Sequence, residues 1–148
     1  MATLFIGEKI MAPGTMGSFL GLFWYTLFFY GDHFIIFWLK FIASAYVAMV
    51  ICGEAEFRLG KKDPGCVILD EMVAMPLCFI AIGGLRKRLS MWIILLSGFL
   101  LFRFFDIVKP FGIKRLQNFH GGIGIVIDDL LAAIYTACTL LFAGELLS

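Results

Sequence analysis

Apolar runs close to the length of a bilayer crossing recur five times in this chain, and they leave room for little else. A helix needs roughly 20 residues at about 1.5 Å each to cross about 30 Å of hydrocarbon. The first run extends from about Pro13 to Tyr30, and the second from the turn Gly31-Asp32-His33 to about Cys52. The others run from about Pro64 to Ile82, from about Ser90 to Phe105 and from about Gly122 to Leu147. Of the 148 residues 61% are hydrophobic, with a mean hydropathy of +0.97, whereas a soluble domain of this size needs far more polar surface. The chain is therefore expected to be all-α: a polytopic transmembrane helical bundle of about five membrane-embedded helices, four to five of them full spans. No composition break divides residues 1–148, so they form a single integral-membrane domain.

A net charge of +1 gives no reason to expect nucleic acid as a partner. Cys52, Cys66, Cys78 and Cys138 make no C-x-x-C pair and read as small apolar residues, not as a disulfide or zinc framework. Lys9 ahead of the apolar stretch Met16–Tyr30 imitates a signal peptide, yet no small-x-small triplet follows closely, so a retained first span is expected. The bilayer is the one partner that composition demands; oligomeric state leaves no mark in the sequence.

Basic residues set the expected orientation. Lys9, the stretch "GEAEFRLGKKDPG" (53–65) and the stretch from Asp106 to Gly122 all fall on one side of a five-span chain. By the positive-inside rule that side is cytoplasmic. The basic turn "LRKRL" (85–89) then lies on the opposite side, unless the third segment fails to cross.

Most charged residues sit between the apolar runs, but several do not. Asp70-Glu71 stand at the start of the third run, Asp128-Asp129 near the start of the fifth, and Arg103, Asp106 and Lys109 at the end of the fourth. With five spans all of these ends share the cytoplasmic face. A charge at the centre of a membrane helix costs roughly 2.5–3.5 kcal/mol on insertion scales, so five carboxylates beside two strong bases need a compensating partner. An oxygen-only donor set with no thiolate or histidine array suits Mg2+ better than zinc, and paired carboxylates suit metal-assisted phosphoryl chemistry. The plain alternatives are interfacial charge and structural ion pairing, and Asp106 with Lys109 at i, i+3 fits the latter equally well.

Two glycine-bearing stretches flank these charges. "APGTMGS" (12–18) places backbone N–H groups near Pro13, Gly14 and the hydroxyls of Thr15 and Ser18 at a helix start, where an anion such as phosphate is readily held. "HGGIG" (120–124), with Gly121 and Gly122, allows close backbone approach to a ligand. His120 is a candidate general acid or base, with an ordinary interfacial histidine as its alternative. Neither a G-x4-G-K-[ST] phosphate loop nor a G-x-S-x-G elbow is present. Cys52 and Arg58 match C-x5-R spacing, but the intervening "GEAEF" puts glutamates where bare N–H donors are needed.

Four stretches, "PGTMGS" (13–18), "DPGCVILDEMVAM" (63–75), "FRFFDIVKPFGI" (102–113) and "HGGIGIVIDDLLAA" (120–133), together resemble the phosphatidylglycerophosphatase A family of bacterial membrane proteins, in the family's order. The resemblance implies Mg2+-dependent hydrolysis of phosphatidylglycerophosphate to phosphatidylglycerol and phosphate. It also implies a multi-pass protein of the bacterial cytoplasmic (inner) membrane with its active site facing the cytoplasm. Carried over by motif, Asp70, Glu71, Asp106, Asp128 and Asp129 fall at the family's acidic positions and Arg103 and Lys109 at its basic ones. Ala74, Gly112 and Ala133 depart from the usual pattern, each outside the charged set. A cation or proton transporter is the alternative of a different class, since intramembrane carboxylates also line ion paths. Such a path needs polar groups through the full depth, and the outer halves of runs one, four and five are apolar almost throughout.

Overall fold

The structure is a computed structural model that describes residues 13–60, 68–80, 82, 85–87, 89–109 and 122–146. Among the described residues five α-helices follow one another: α1 (Pro13–Phe28), α2 (Phe34–Leu59), α3 (Leu69–Ala74), α4 (Met91–Val108) and α5 (Gly122–Leu146). No strand occurs among the described residues.

Contacts between helix ends fix the up-down order. At one end the start of α1 meets Glu71 of α3 and Arg103 of α4, and Lys109 reaches Asp128 of α5. At the other end Arg86 donates to the Tyr30 hydroxyl at 2.8 Å, and Leu85 packs on Gly144 near the close of α5. The third segment therefore traverses the bundle, and the basic turn at Arg86 and Lys87 lies at the end opposite the carboxylates. The α1–α2 connection sits at that same end. Gly31 adopts φ 84°, and Lys40 Nζ bonds Phe28 O at 2.8 Å and Asp32 Oδ2 at 2.9 Å. Lys40 thus carries its charge to the bundle end along an apolar stem.

The segment boundaries differ from expectation in ways that have physical causes. α2 runs to Leu59, past Cys52, because charge ends the apolar run but not the helix. Glu54 and Arg58 form an i, i+4 pair at 2.6 Å, and the helix stops only at Gly60, which takes φ 60° and donates to Glu56 O. α4 likewise continues to Val108. The third segment is not one α-helix: after Ala74 the chain tightens into a 3₁₀ stretch over Met75–Phe79. Pro76 lacks the N–H an α-helix needs there. That stretch is wholly buried. Among the described residues three helices, Phe34–Arg58, Met91–Val108 and Val126–Leu146, are long and apolar enough to cross a membrane singly, while α1 has 16 residues.

Inside, Tyr25, Phe29, Phe37, Met75, Phe79 and Phe102 form the main core. Gly98 lets the buried Phe79 ring lie directly against α4, in the space a β-carbon would fill. Outside, Phe34, Ile35, Trp92 and Leu146 are each at least 70% exposed, which in water would be ruinous and in lipid is ordinary.

Candidate active site

Three chain segments deliver charge to one end of an apolar bundle. The start of α3 supplies Asp70 and Glu71, the last two turns of α4 supply Arg103 and Asp106, and α5 supplies Asp128 and Asp129. Asp70, Asp128 and Asp129 are buried, at 6%, 4% and 4% exposure. Ser18 and Thr136 are buried as well. Thr136, deeper in α5, donates to its own helix at Ala132 O. Beyond these, the described core is built of apolar and aromatic side chains.

Two basic residues organise the carboxylates. Arg103 Nη1 lies 2.7 Å from Asp106 Oδ2 one helical turn away and 3.4 Å from Glu71 Oε1 on α3. Lys109 caps α4 in the left-handed region at φ 46°, an uncommon conformation for a residue with a side chain, and Pro110 follows it in the sequence. That turn ends the helix and carries Lys109 Nζ to Asp128 Oδ2 at 2.6 Å. Burial works against the Lys109 charge, but the bond to Asp128, with Asp106 and Asp129 beyond it, holds its pKa above the ordinary value.

Asp129 has no basic group within ion-pairing distance among the described residues. It does lie within electrostatic range of Asp70, Asp128, Asp106 and Glu71. Five carboxylates thus share one region with two bases, and the local excess of negative charge calls for a cation. Among the described residues no three of these carboxylates converge into a ready coordination shell. This donor chemistry fits Mg2+, which keeps several waters and takes one or two carboxylates together with phosphate oxygens.

The start of α1 closes the cluster from the side. A β-carbon on Gly14 would fall 2.5 Å from Glu71 Oε1 and 2.9 Å from Arg103 Nη1, and one on Gly17 would fall 2.5 Å from Glu71 Oε2. Ser18 is fully buried; its hydroxyl donates to Gly14 O at 2.9 Å and sits 3.4 Å from Glu71 Oε2. Pro13 opens the helix, as proline readily does at a first position, and Thr15 is exposed. Gly122 opens α5, whereas His120 and Gly121 lie outside the described residues.

Gly17, which the motif "PGTMGS" contains but to which it assigns no role, and Gly21, outside it, belong with this site. Gly21 would bring a β-carbon within 2.6 Å of Met75 Cβ and 3.0 Å of the Met72 backbone. The spacing 14, 17, 21 puts three glycines on one helical face, and that period was the available signal. Ala74 and Ala133, the small-residue departures, are both fully buried, so the packing accommodates a methyl at each. Substituting Gly17 by Ala should push α1 off Ile68 and Glu71. We expect destabilisation of about 1–3 kcal/mol by thermal unfolding in detergent, with a larger loss of activity than Gly21→Ala gives.

Comparison with known proteins meets this geometry. The family model described as Phosphatidylglycerophosphatase A matches residues 1–144. A protein of Escherichia coli named Phosphatidylglycerophosphatase A is 31% identical over 94% of this chain and 78% of its own length. A protein of Haemophilus influenzae with the same name is 37% identical over 84% of this chain and 74% of its own. A relative from Bacteroides thetaiotaomicron, provisionally named a phosphatidylinositol-3-phosphatase, is 33% identical over 88% of this chain and 82% of its own. No solved structure matches. With carboxylates and bases gathered where the four motifs meet, and a family match across nearly the whole length, the chain belongs to the phosphatidylglycerophosphatase A family.

Proposed function

We propose that this protein is a membrane lipid phosphatase that hydrolyses phosphatidylglycerophosphate to phosphatidylglycerol and phosphate, at the cytoplasmic face of a bacterial inner membrane and with Mg2+. The observation that carries the reading is the convergence of Asp70, Glu71, Asp106, Asp128 and Asp129 with Arg103 and Lys109 at one end of an otherwise apolar bundle. The sequence relatives supply the substrate name.

The reaction adds the oxygen of water to phosphorus and breaks the bond between phosphorus and the glycerol oxygen, which leaves with a proton. Arg103 and Lys109 would neutralise the phosphoryl oxygens as charge builds on them. Glu71 and Asp106 hold the guanidinium in place, and Asp128 holds the ammonium. Asp70 and Asp129, with Glu71, Asp106 and Asp128 around them, would hold Mg2+, which when bound polarises a phosphate and lowers the pKa of water. Ser18 and the glycines of α1 shape the wall beside Glu71. A substrate whose acyl chains stay in the bilayer needs only its headgroup bound, which suits a protein with so little mass outside the membrane.

The Bacteroides relative raises a second lipid phosphomonoester, phosphatidylinositol 3-phosphate. Comparing kcat/KM for this lipid, phosphatidylglycerophosphate and phosphatidic acid with the purified protein separates the readings. We expect phosphatidylglycerophosphate to be preferred by at least about 10-fold, a difference of about 1.4 kcal/mol in transition-state binding. A reversed order would transfer the assignment to the inositol lipid.

A further inference from the structure

Between the carboxylate end and the α1–α2 connection, α1 and α2 part to leave a groove of about 480 Å³ floored by α3. Trp24 and Phe28 form one wall, Ala43 and Val47 the other, and Leu69 and Met72 the floor. Lys40 and Ser44 also border it. Lys40 turns its Nζ to Asp32 and Phe28 O, and Ser44 satisfies its hydroxyl on its own helix, so neither polar group is left facing an apolar occupant. On α2 the bordering residues 40, 43, 44 and 47 fall at i, i+3, i+4, i+7, a single stripe.

Two features tie the groove to the catalytic end. Leu69 and Met72 flank Asp70 and Glu71 in the chain, so the floor begins where the carboxylates stand. Its position is the second. On α1 the wall residues Trp24 and Phe28 lie seven and eleven residues beyond Gly17, which sits beside Ile68 and Glu71, or about 10 Å and about 16 Å along the helix. Half of a hydrocarbon core about 30 Å thick is about 15 Å. A lipid whose phosphate lies at the cluster must run its acyl chains down through that depth.

We propose that the groove seats one acyl chain of the substrate phospholipid, aligning the lipid so that its phosphate meets Arg103 and Lys109. The proposal rests on the lipid-phosphatase reading. The groove contributes binding and chain-length selectivity; it takes no part in the chemistry. Gly21 maintains its shape, since a side chain there would lift α1 from the Met72 backbone.

Chain-length profiles test this with the full-length protein in mixed micelles. Ala43→Phe narrows the groove and Val47→Ala widens it, and neither residue touches the charged cluster. Phosphate release is measured on phosphatidylglycerophosphates of increasing chain length and on the deacylated headgroup. We expect Ala43→Phe to raise KM for long-chain lipid about 10-fold and Val47→Ala to shift the preference toward longer chains. Both should retain wild-type kcat/KM on the deacylated compound, which also certifies that each variant is folded. Identical chain-length profiles in wild type and both variants would overturn the groove assignment. Absence of release by folded wild-type protein from every lipid and from the headgroup would instead overturn the phosphatase reading, and the groove proposal with it.

Discussion

Replacing Asp129 by Asn is expected to lower phosphate release more than about 100-fold while leaving the fold at least as stable as before. The two effects diverge because the cluster is overloaded with like charge. Asp129 is buried, lacks a basic partner within ion-pairing distance among the described residues, and lies in the field of four other carboxylates. An isosteric neutral group relieves that repulsion and keeps the shape, so the thermal midpoint in metal-free buffer should hold or rise. Catalysis loses an anionic oxygen from the proposed Mg2+ site, where amide oxygen is a poor substitute. Parallel measurement of turnover and thermal unfolding checks both. Equal loss of stability and activity would mark Asp129 as a structural residue.

Replacing Lys109 should lower stability as well as activity. Its pair with Asp128 is largely buried, with side-chain exposures of 19% and 4%. Lys109→Met takes from the buried Asp128 carboxylate the ammonium bonded to it at 2.6 Å, at an expected cost of about 3 kcal/mol. The double variant Lys109→Met with Asp128→Asn removes both members of the pair together and should recover most of that stability. Activity should stay low in both, because the proposed role of Lys109 is toward phosphate oxygens. Chemical unfolding in detergent together with turnover gives the full cycle. Recovery of activity alongside stability would assign Lys109 a purely structural task.

Much of this molecule is legible in its sequence, for particular reasons. The bilayer allows a backbone to span it only with every polar group satisfied within the segment or a closed barrel, so the apolar runs read as about five membrane-embedded helices, and among the described residues five helices occur, three of them long and apolar enough to cross. Parity then places Asp70, Arg103, Asp106, Lys109, Asp128 and Asp129 at one end, and in the structure they meet there. The details that escape are local. The extension of α2 is hidden because hydropathy registers the membrane boundary, while helix persistence depends on the Glu54–Arg58 pair and the Gly60 cap. The 3₁₀ stretch turns on Pro76, whose effect within a buried segment depends on what packs around it. The pairing of Arg103 with Glu71 and of Lys109 with Asp128 depends on helix rotation and on the left-handed turn at Lys109, neither of which spacing along the chain encodes. The glycine face of α1 was encoded, at 14, 17 and 21, but it acquires meaning only when α3 lies against it.

The central claim is that this charged end of the bundle performs Mg2+-dependent hydrolysis of a lipid phosphomonoester. It is tested most directly by phosphate release from phosphatidylglycerophosphate by the purified protein, first with a metal chelator and then with Mg2+ restored. The expected result is release that disappears with the chelator and returns with Mg2+ in a saturable manner. Undiminished release in chelator would contradict the metal-site account of the carboxylates, and no release under either condition from folded protein would contradict the phosphatase assignment.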